Sequence, residues 1–257
     1  MIPVSDSVKS RTTPYVNIFF ISINILIFLY QLTLSTFPDP LTLLSDLDSF
    51  FFDWGSIPAC LTDRFGFSPA TDPRALDFVC PECERVLATP FTSMFLHGGW
   101  LHLIGNMVFL WVFGDNVEDA MGHARYVAFY LVVGLAAGAA HIFMNQNDII
   151  PAIGASGAVA GVLGAYLVLY PRATVNAILP IFILFWMPFR VPAVLLIGFW
   201  FLLQLLNGIA AITATDVTGA GGGTAWFAHI GGFIAGLVLI RIFTAGRGRR
   251  SRLRVVR

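Results

Sequence analysis

The chain has 257 residues, 57% hydrophobic and 12% charged, with a formal net charge of zero and a mean hydropathy of +0.78. A soluble domain carries about 25% charged residues, so a water-soluble globule is excluded and an integral membrane protein is expected.

Six apolar segments follow in chain order, at roughly 16–36, 99–114, 125–144, 155–170, 192–213 and 225–243. Most approach the ~20 residues that a membrane helix needs. The first is long and has no small-residue cleavage pattern, so it reads as a retained span and not as a cleavable signal. The fourth is short and built of Gly, Ala, Val and Leu, which suits a helix in the middle of a bundle. A further apolar patch, "AILPIFILFWMP" at 177–188, is cut by Pro180 and Pro188 and is expected to be an interfacial or re-entrant piece.

The expected fold is therefore an all-α membrane protein. It is a six-transmembrane-helix bundle with a large outer loop between helices 1 and 2, at 37–90. Residues 1–15 form a cytoplasmic N-terminus, 16–243 the membrane domain and 244–257 a basic cytoplasmic tail. The tail, "GRGRRSRLRVVR", has six arginines and no acid, whereas 37–90 has nine acids and three arginines. Positive residues stay inside, so the C-terminus is cytoplasmic. Six spans place the N-terminus, with Lys9 and Arg11, on the same side. Arg172 and Arg190 agree. The tail reads as a topogenic segment touching anionic lipid, and no nucleic-acid partner follows from it. The loop 37–90 is expected to pack on the membrane surface, and the Gly-rich stretch 212–225 to be mobile.

Polar groups in hydrocarbon are costly, and each is a functional candidate. Segment two carries His97, His102 and Asn106, segment three ends near His141, segment four opens with Ser156, and segment six carries His229. No Asp or Glu falls inside a span. Segments two, four and six share one direction, so parity puts His97, His102, Ser156 and His229 in one layer toward the outer face. Ser156, Ala160 and Gly164 recur every four residues, beside a stripe of Gly157, Gly161 and Ala165. His229, Gly232 and Gly236 share a face of segment six. Mating of such small-residue stripes lets two backbones approach closely and brings Ser156 to His229.

A serine hydroxyl becomes a useful nucleophile when an adjacent base takes its proton. With no carboxylate in the layer, the pair is a dyad. His102 and Asn106, four residues apart on one helix face, are candidate oxyanion donors, and so is the Ser156 N–H at a helix start. The bland alternatives are a packing serine, satisfied core histidines or a proton relay. On residues alone, a buried hydrolase stands beside a channel or transporter. The latter needs coupling charges at mid-membrane, and no intramembrane acid supplies them.

The motifs resemble those of the rhomboid family of intramembrane serine proteases. "GASG" (154–157) is similar to the family's Gly-x-Ser-Gly motif, with Gly154 and Gly157 flanking the nucleophile Ser156. "AHIGGFIAG" (228–236) is similar to its sixth-span motif, with His229 as base and Gly232 and Gly236 as packing residues. "HGGWLHLIGN" (97–106) resembles the second-span motif and implies His102 and Asn106 as oxyanion ligands, with His97 structural. "GDNVE" (114–118) implies a structural Glu118, and "WGSIPA" (54–59) looks like the opening of the first outer loop.

The resemblance covers roughly 15–243. It implies a serine-type endopeptidase that cleaves transmembrane segments of other membrane proteins through an acyl-enzyme. It implies no cofactor and no metal, transmembrane proteins and the lipid bilayer as partners, and no set oligomeric state. A prokaryotic plasma membrane is the expected location, with the active site toward the outer face. The alternative is a catalytically silent relative that only binds membrane proteins.

Two departures stand out. Members often have an aromatic residue one turn after the serine, stacking on the histidine, and here that position is Ala160. Cys60, Cys80 and Cys83 are not part of the family pattern. A disulfide is the first expectation in an oxidising compartment, zinc lacks a fourth ligand, and free thiols are the remaining alternative.

Overall fold

The computed structural model describes residues 1–40, 42–67, 80, 83–182, 185–218 and 225–246. Part of the Gly-rich stretch (219–224) and the arginine tail from 247 onward lie outside the described residues. The chain is mostly helical. It runs β1 (Ile2–Asp6), α1 (Tyr15–Gln31), α2 (Asp46–Trp54), α3 (Pro58–Arg64), α4 (Cys83–Val86), α5 (Thr89–Thr92) and a 3-10 turn (Ser93–Phe95). Then follow α6 (Trp100–Met121), α7 (His123–Met144), α8 (Ser156–Leu169), β2 (Thr174–Phe182), β3 (Phe185–Pro192), α9 (Ala193–Thr218) and α10 (Trp226–Phe243).

Among the described residues, three helical stretches are long and apolar enough to cross a membrane, at His123–Met144, Ala193–Ala211 and Trp226–Phe243. A fourth is reached if Thr89–Phe95 and Trp100–Met121, bent by 90°, count as one span. α1 and α8 are shorter apolar helices. The fold is thus a mostly helical membrane architecture, with fewer spans by length among the described residues than the six expected.

Helix α8 forms the centre. Its 14 residues rise about 21 Å at ~1.5 Å per residue. Every residue from Gly157 to Tyr166 is buried, between α6, α7 and α10. The small-residue stripes mate as the spacing suggests, through the Gly157/Gly161 row. A Cβ on Gly232 would lie 2.1 Å from the Gly157 carbonyl oxygen across the seam, and one on Gly236 would meet the Gly161 carbonyl oxygen at 2.0 Å. Gly164 meets the Phe233 carbonyl in the same way. Around this seam Phe113, Tyr126, Phe129, Tyr130 and Tyr166 are fully buried and fill the space with large, stiff side chains.

Glu118 explains where α1 begins. The first N–H groups of a helix have no intrahelical acceptor. Here the N–H groups of Val16 and Asn17 donate to the two Glu118 oxygens at 3.1 and 2.7 Å. His123 also contacts this carboxylate, which is fully buried. A negative charge at a helix N-terminus is favourable, so Glu118 joins α1 to the end of α6. At the other end of α1, Gln31 exchanges two hydrogen bonds with the His97 backbone, at 2.8 and 3.1 Å.

The all-α expectation is corrected by a three-stranded antiparallel sheet of order β1-β2-β3. Within the patch 177–188, residues 177–182 belong to β2 and 185–188 to β3, so these described residues form paired strands and not a re-entrant piece. β2 alternates, with Val175 and Ala177 buried in the main core, while Asn176 on the outer face bonds Ser5 and Arg190 on its two neighbours. Pro188 lies on the edge strand β3, and Pro180 lies beyond the last β1 pair at Ile178. Neither proline interrupts a doubly paired position, which is where a missing N–H is least tolerated.

Asp6, at the end of β1, ties the sheet to the bundle. It accepts from the Tyr166 hydroxyl, from Asn116 Nδ2 at 3.1 Å and from the Val8 N–H at 3.2 Å. Burial raises its pKa from 3.8 to about 6, against the opposing pull of these hydrogen bonds. Because the folded value lies above the unfolded one, the stability that Asp6 contributes is complete below about pH 4 and is lost as pH rises through about 6. Thermal unfolding in detergent should therefore show a downward slope of Tm from pH 4 to 7 in wild type that is shallower in Asp6→Asn. Identical slopes would contradict this.

The described part of the outer loop has its own small core, of Ile57, Ala59, Cys60, Leu61 and Val86. α2 starts with a capping box in which the Ser45 side chain and the Asp48 backbone and carboxylate bond reciprocally. A disulfide joins Cys60 to Cys80, whose Cα atoms are 5.6 Å apart. The side chain of Cys83 lies outside the described residues.

Candidate active site

The approach to Ser156 is held from two sides. Ser56, in the "WGSIPA" segment, exchanges backbone hydrogen bonds with Ala152 at 3.0 and 2.8 Å. The Ala59 N–H donates to the Asp148 carbonyl at 3.0 Å, and the Gly154 N–H to the Ser93 carbonyl at 2.8 Å. Gly154 has φ +131°, in the region that favours glycine. A Cβ there would lie 2.7 Å from His102 Nε2. The glycine therefore lets the chain turn into α8 and brings the His102 ring against the turn.

Ser156 Oγ lies 2.8 Å from His229 Nε2. On the far side of the ring, His229 Nδ1 is 2.7 Å from Gln204 Oε1. The Trp200 ring lies 5.9 Å from the His229 ring and is tilted by 38°, and Trp226 stands nearly perpendicular at 6.3 Å. Two tryptophans therefore stand beside the His229 ring, where position 160 offers it no aromatic. Ala160 itself is fully buried.

His102 and Asn106 line the same cavity as Ser156 and His229, a space of about 610 Å³ that also touches Trp200 and Asp148. The Gly98 N–H approaches His102 Nδ1 at 3.5 Å, which favours the tautomer with the proton on Nε2. Asn106 Nδ2 is 3.1 Å from His97 Nε2, and His97 is almost wholly buried. So Ser156, His229, His102 and Asn106 meet at one cavity. His97 stands behind Asn106, Gly154 and Gly157 flank the serine, Gly232 and Gly236 form the helix seam, and Glu118 lies at the opposite end of α6. His141 reaches the cavity rim and pairs with Asn145. Among the described residues, no group of three or more His, Cys, Asp or Glu is placed to hold a metal ion.

The residues missed from sequence are polar groups inside apolar helices. Gln204 interrupts "WFLLQLL" in α9, and Asn17, Asn24 and Gln31 lie in α1. All four are buried. The cost of placing an amide in hydrocarbon is the signal that points to them.

A Ser–His contact at the start of a short central helix, packed on glycines and lined by a histidine and an asparagine, is an arrangement in which a histidine can take a serine proton. The chain belongs to the rhomboid family, whose Rhomboid domain model matches residues 84–246. It is 28% identical over 198 residues to RHOMBOID-like protein 6, mitochondrial, of Arabidopsis thaliana, covering 72% of this chain and 57% of that protein. It is 26% identical over 182 residues to Presenilin-associated rhomboid-like protein A, mitochondrial, of Danio rerio, covering 69% and 40%. A shorter match of 76 residues, 37% identical, links it to RHOMBOID-like protein 5 of Arabidopsis thaliana, covering 30% and 25%. The chain therefore spans less than two thirds of the length of each of these relatives.

Proposed function

We propose that the protein is an intramembrane serine endopeptidase that cleaves transmembrane segments of other membrane proteins. The observation that carries this reading is the 2.8 Å contact between Ser156 Oγ and His229 Nε2 in a cavity shared with His102 and Asn106.

Ser156 Oγ attacks the scissile carbonyl carbon while its proton passes to His229 Nε2. The oxyanion is met by His102 Nε2–H, the Asn106 amide and the Ser156 N–H, which at a helix start has no intrahelical acceptor. His229 then gives the proton to the leaving amine, and an acyl-enzyme remains on Ser156. Water attacks the ester with its proton going to His229, and that proton returns to Ser156 Oγ as the acid product leaves. No cofactor enters these steps.

The proposed topology has six spans, α1, α6, α7, α8, α9 and α10, with both termini and the sheet on the cytoplasmic side. α8, about 21 Å long, falls short of a hydrocarbon core of ~30 Å. Ser156 then lies below the outer surface, where the cavity admits the water that hydrolysis needs. Substrate enters sideways from lipid past α9, whose outward face carries exposed Leu195, Phe199, Leu202 and Leu206. The relatives lend no support to the prokaryotic plasma membrane expected from sequence, since two of them are designated mitochondrial. Sidedness is therefore proposed without assigning a particular membrane.

The test is cleavage of a single-span reporter protein in liposomes by wild type and Ser156→Ala. Cleavage by wild type alone is expected, and equal behaviour of the two would refute the mechanism in favour of a membrane-protein binder. Asn106→Ala should lower turnover by about 10²-fold, the usual worth of one oxyanion donor, without abolishing it. An unchanged rate would remove Asn106 from the oxyanion site.

A further inference from the structure

We propose that Gln204 is the positioning residue of the Ser156–His229 pair, holding the imidazole in the tautomer whose Nε2 faces the serine. The catalytic consequence rests on the hydrolase reading, whereas the tautomer does not.

Both ring nitrogens of His229 are engaged, Nε2 with Ser156 Oγ at 2.8 Å and Nδ1 with Gln204 Oε1 at 2.7 Å. An amide oxygen only accepts. Nδ1 must therefore carry the proton, and the Nε2 lone pair is left to receive the proton of Ser156. The amide is itself oriented, because Gln204 Nε2 donates to the Trp200 carbonyl one turn back on α9, at 3.3 Å. That bond uses the donor end and turns the oxygen toward the ring. Gln204 is 7% exposed and His229 8%, so bulk water has little access to replace the contact.

The chemistry explains why an amide stands here. Serine hydrolases commonly orient the histidine with a carboxylate, but a carboxylate inside a membrane helix carries a large desolvation cost. A neutral amide sets the same tautomer with no charge to bury. The position also fits the departure at Ala160. With Ala160 one turn after the serine, that position of α8 carries no aromatic ring for the imidazole face. α9 supplies Trp200 beside the ring and, one turn on, Gln204 at its edge. Orientation of the base thus moves from the nucleophile's helix to α9.

The test uses the full chain in detergent with nitrogen-15-labelled histidine, the His229 signals being assigned by their loss in His229→Ala. Wild type is expected to show a protonated, pyrrole-type Nδ1 and a pyridine-type Nε2. Gln204→Leu should mix or reverse the tautomers and slow phosphonylation of Ser156 by a fluorophosphonate by about 10²-fold, the scale of a misplaced catalytic group. Gln204→Glu retains an acceptor and should keep the wild-type tautomer. A Gln204→Leu protein with the wild-type tautomer, or with the wild-type labelling rate, would overturn the inference. A wild-type protein that shows the tautomer, loses it in Gln204→Leu and never labels would instead refute the hydrolase reading alone.

Discussion

His229→Ala is expected to slow acylation of Ser156 by at least about 10³-fold while the protein remains folded. Removing the base of a serine hydrolase costs on the order of 10⁶-fold in the best-measured case, and the lower figure allows for an enzyme with a weaker starting rate. No other histidine stands ready to replace His229. His102 takes the Gly98 N–H on Nδ1 and so directs a proton, not a lone pair, at the cavity. His97 is engaged with Asn106 and His141 with Asn145. The fold should survive because the α8–α10 contact is carried by Gly232 and Gly236 and not by the imidazole. Cleavage rate and thermal stability measured on one preparation check both halves. A loss of less than about tenfold would mean that Ser156 has another base or is not the nucleophile.

Gly232→Val is expected to cause a large structural loss on the α8–α10 seam. A Cβ at Gly232 would sit 2.1 Å from the Gly157 carbonyl oxygen and 3.2 Å from the Ala137 Cβ. The first of these is rigid backbone, so the helices must part by roughly an ångström or more. Overpacking of this kind costs about 1–3 kcal/mol and occasionally more. It also acts on the site, because Gly157 follows Ser156 and Gly232 lies one turn from His229. Parting the seam stretches the 2.8 Å Ser156–His229 contact toward the limit of a hydrogen bond. A lower Tm in detergent together with loss of cleavage is the expected result. Gly198→Ala, where an added Cβ meets nothing within 4 Å, is the matched control and should retain both. Equal stability of the two variants would contradict the close seam.

The helices and the cluster at the cavity were readable because membrane sequences obey few rules and obey them strictly. Hydrophobic runs mark helices, four-residue spacing of small residues marks close contact, and parity puts alternate helix starts in one layer. Ser156, His229, His102 and Asn106 were placed by those rules, and the structure brings them to one cavity. The sheet was not readable. In 174–192 the inward positions Val175 and Ala177 alternate with polar partners for only a few residues, and apart from Arg190 the rest is apolar, so a period of two is drowned. The prolines read as breakers until the strand edges are known. Gln204 was missed for a different reason. Its partner, His229, is 25 residues away on another helix, and no periodicity within α9 announces a tertiary hydrogen bond. The three cysteines allow three pairings, and only the fold brings Cys60 and Cys80 together.

The most direct measurement of the central claim is fluorophosphonate labelling of the purified protein, with the modified residue located by peptide mapping. One phosphonylated residue, Ser156, is expected in wild type, and none in Ser156→Ala or His229→Ala proteins shown to be folded. A folded wild-type protein that does not label, or that labels at another residue, would contradict that claim.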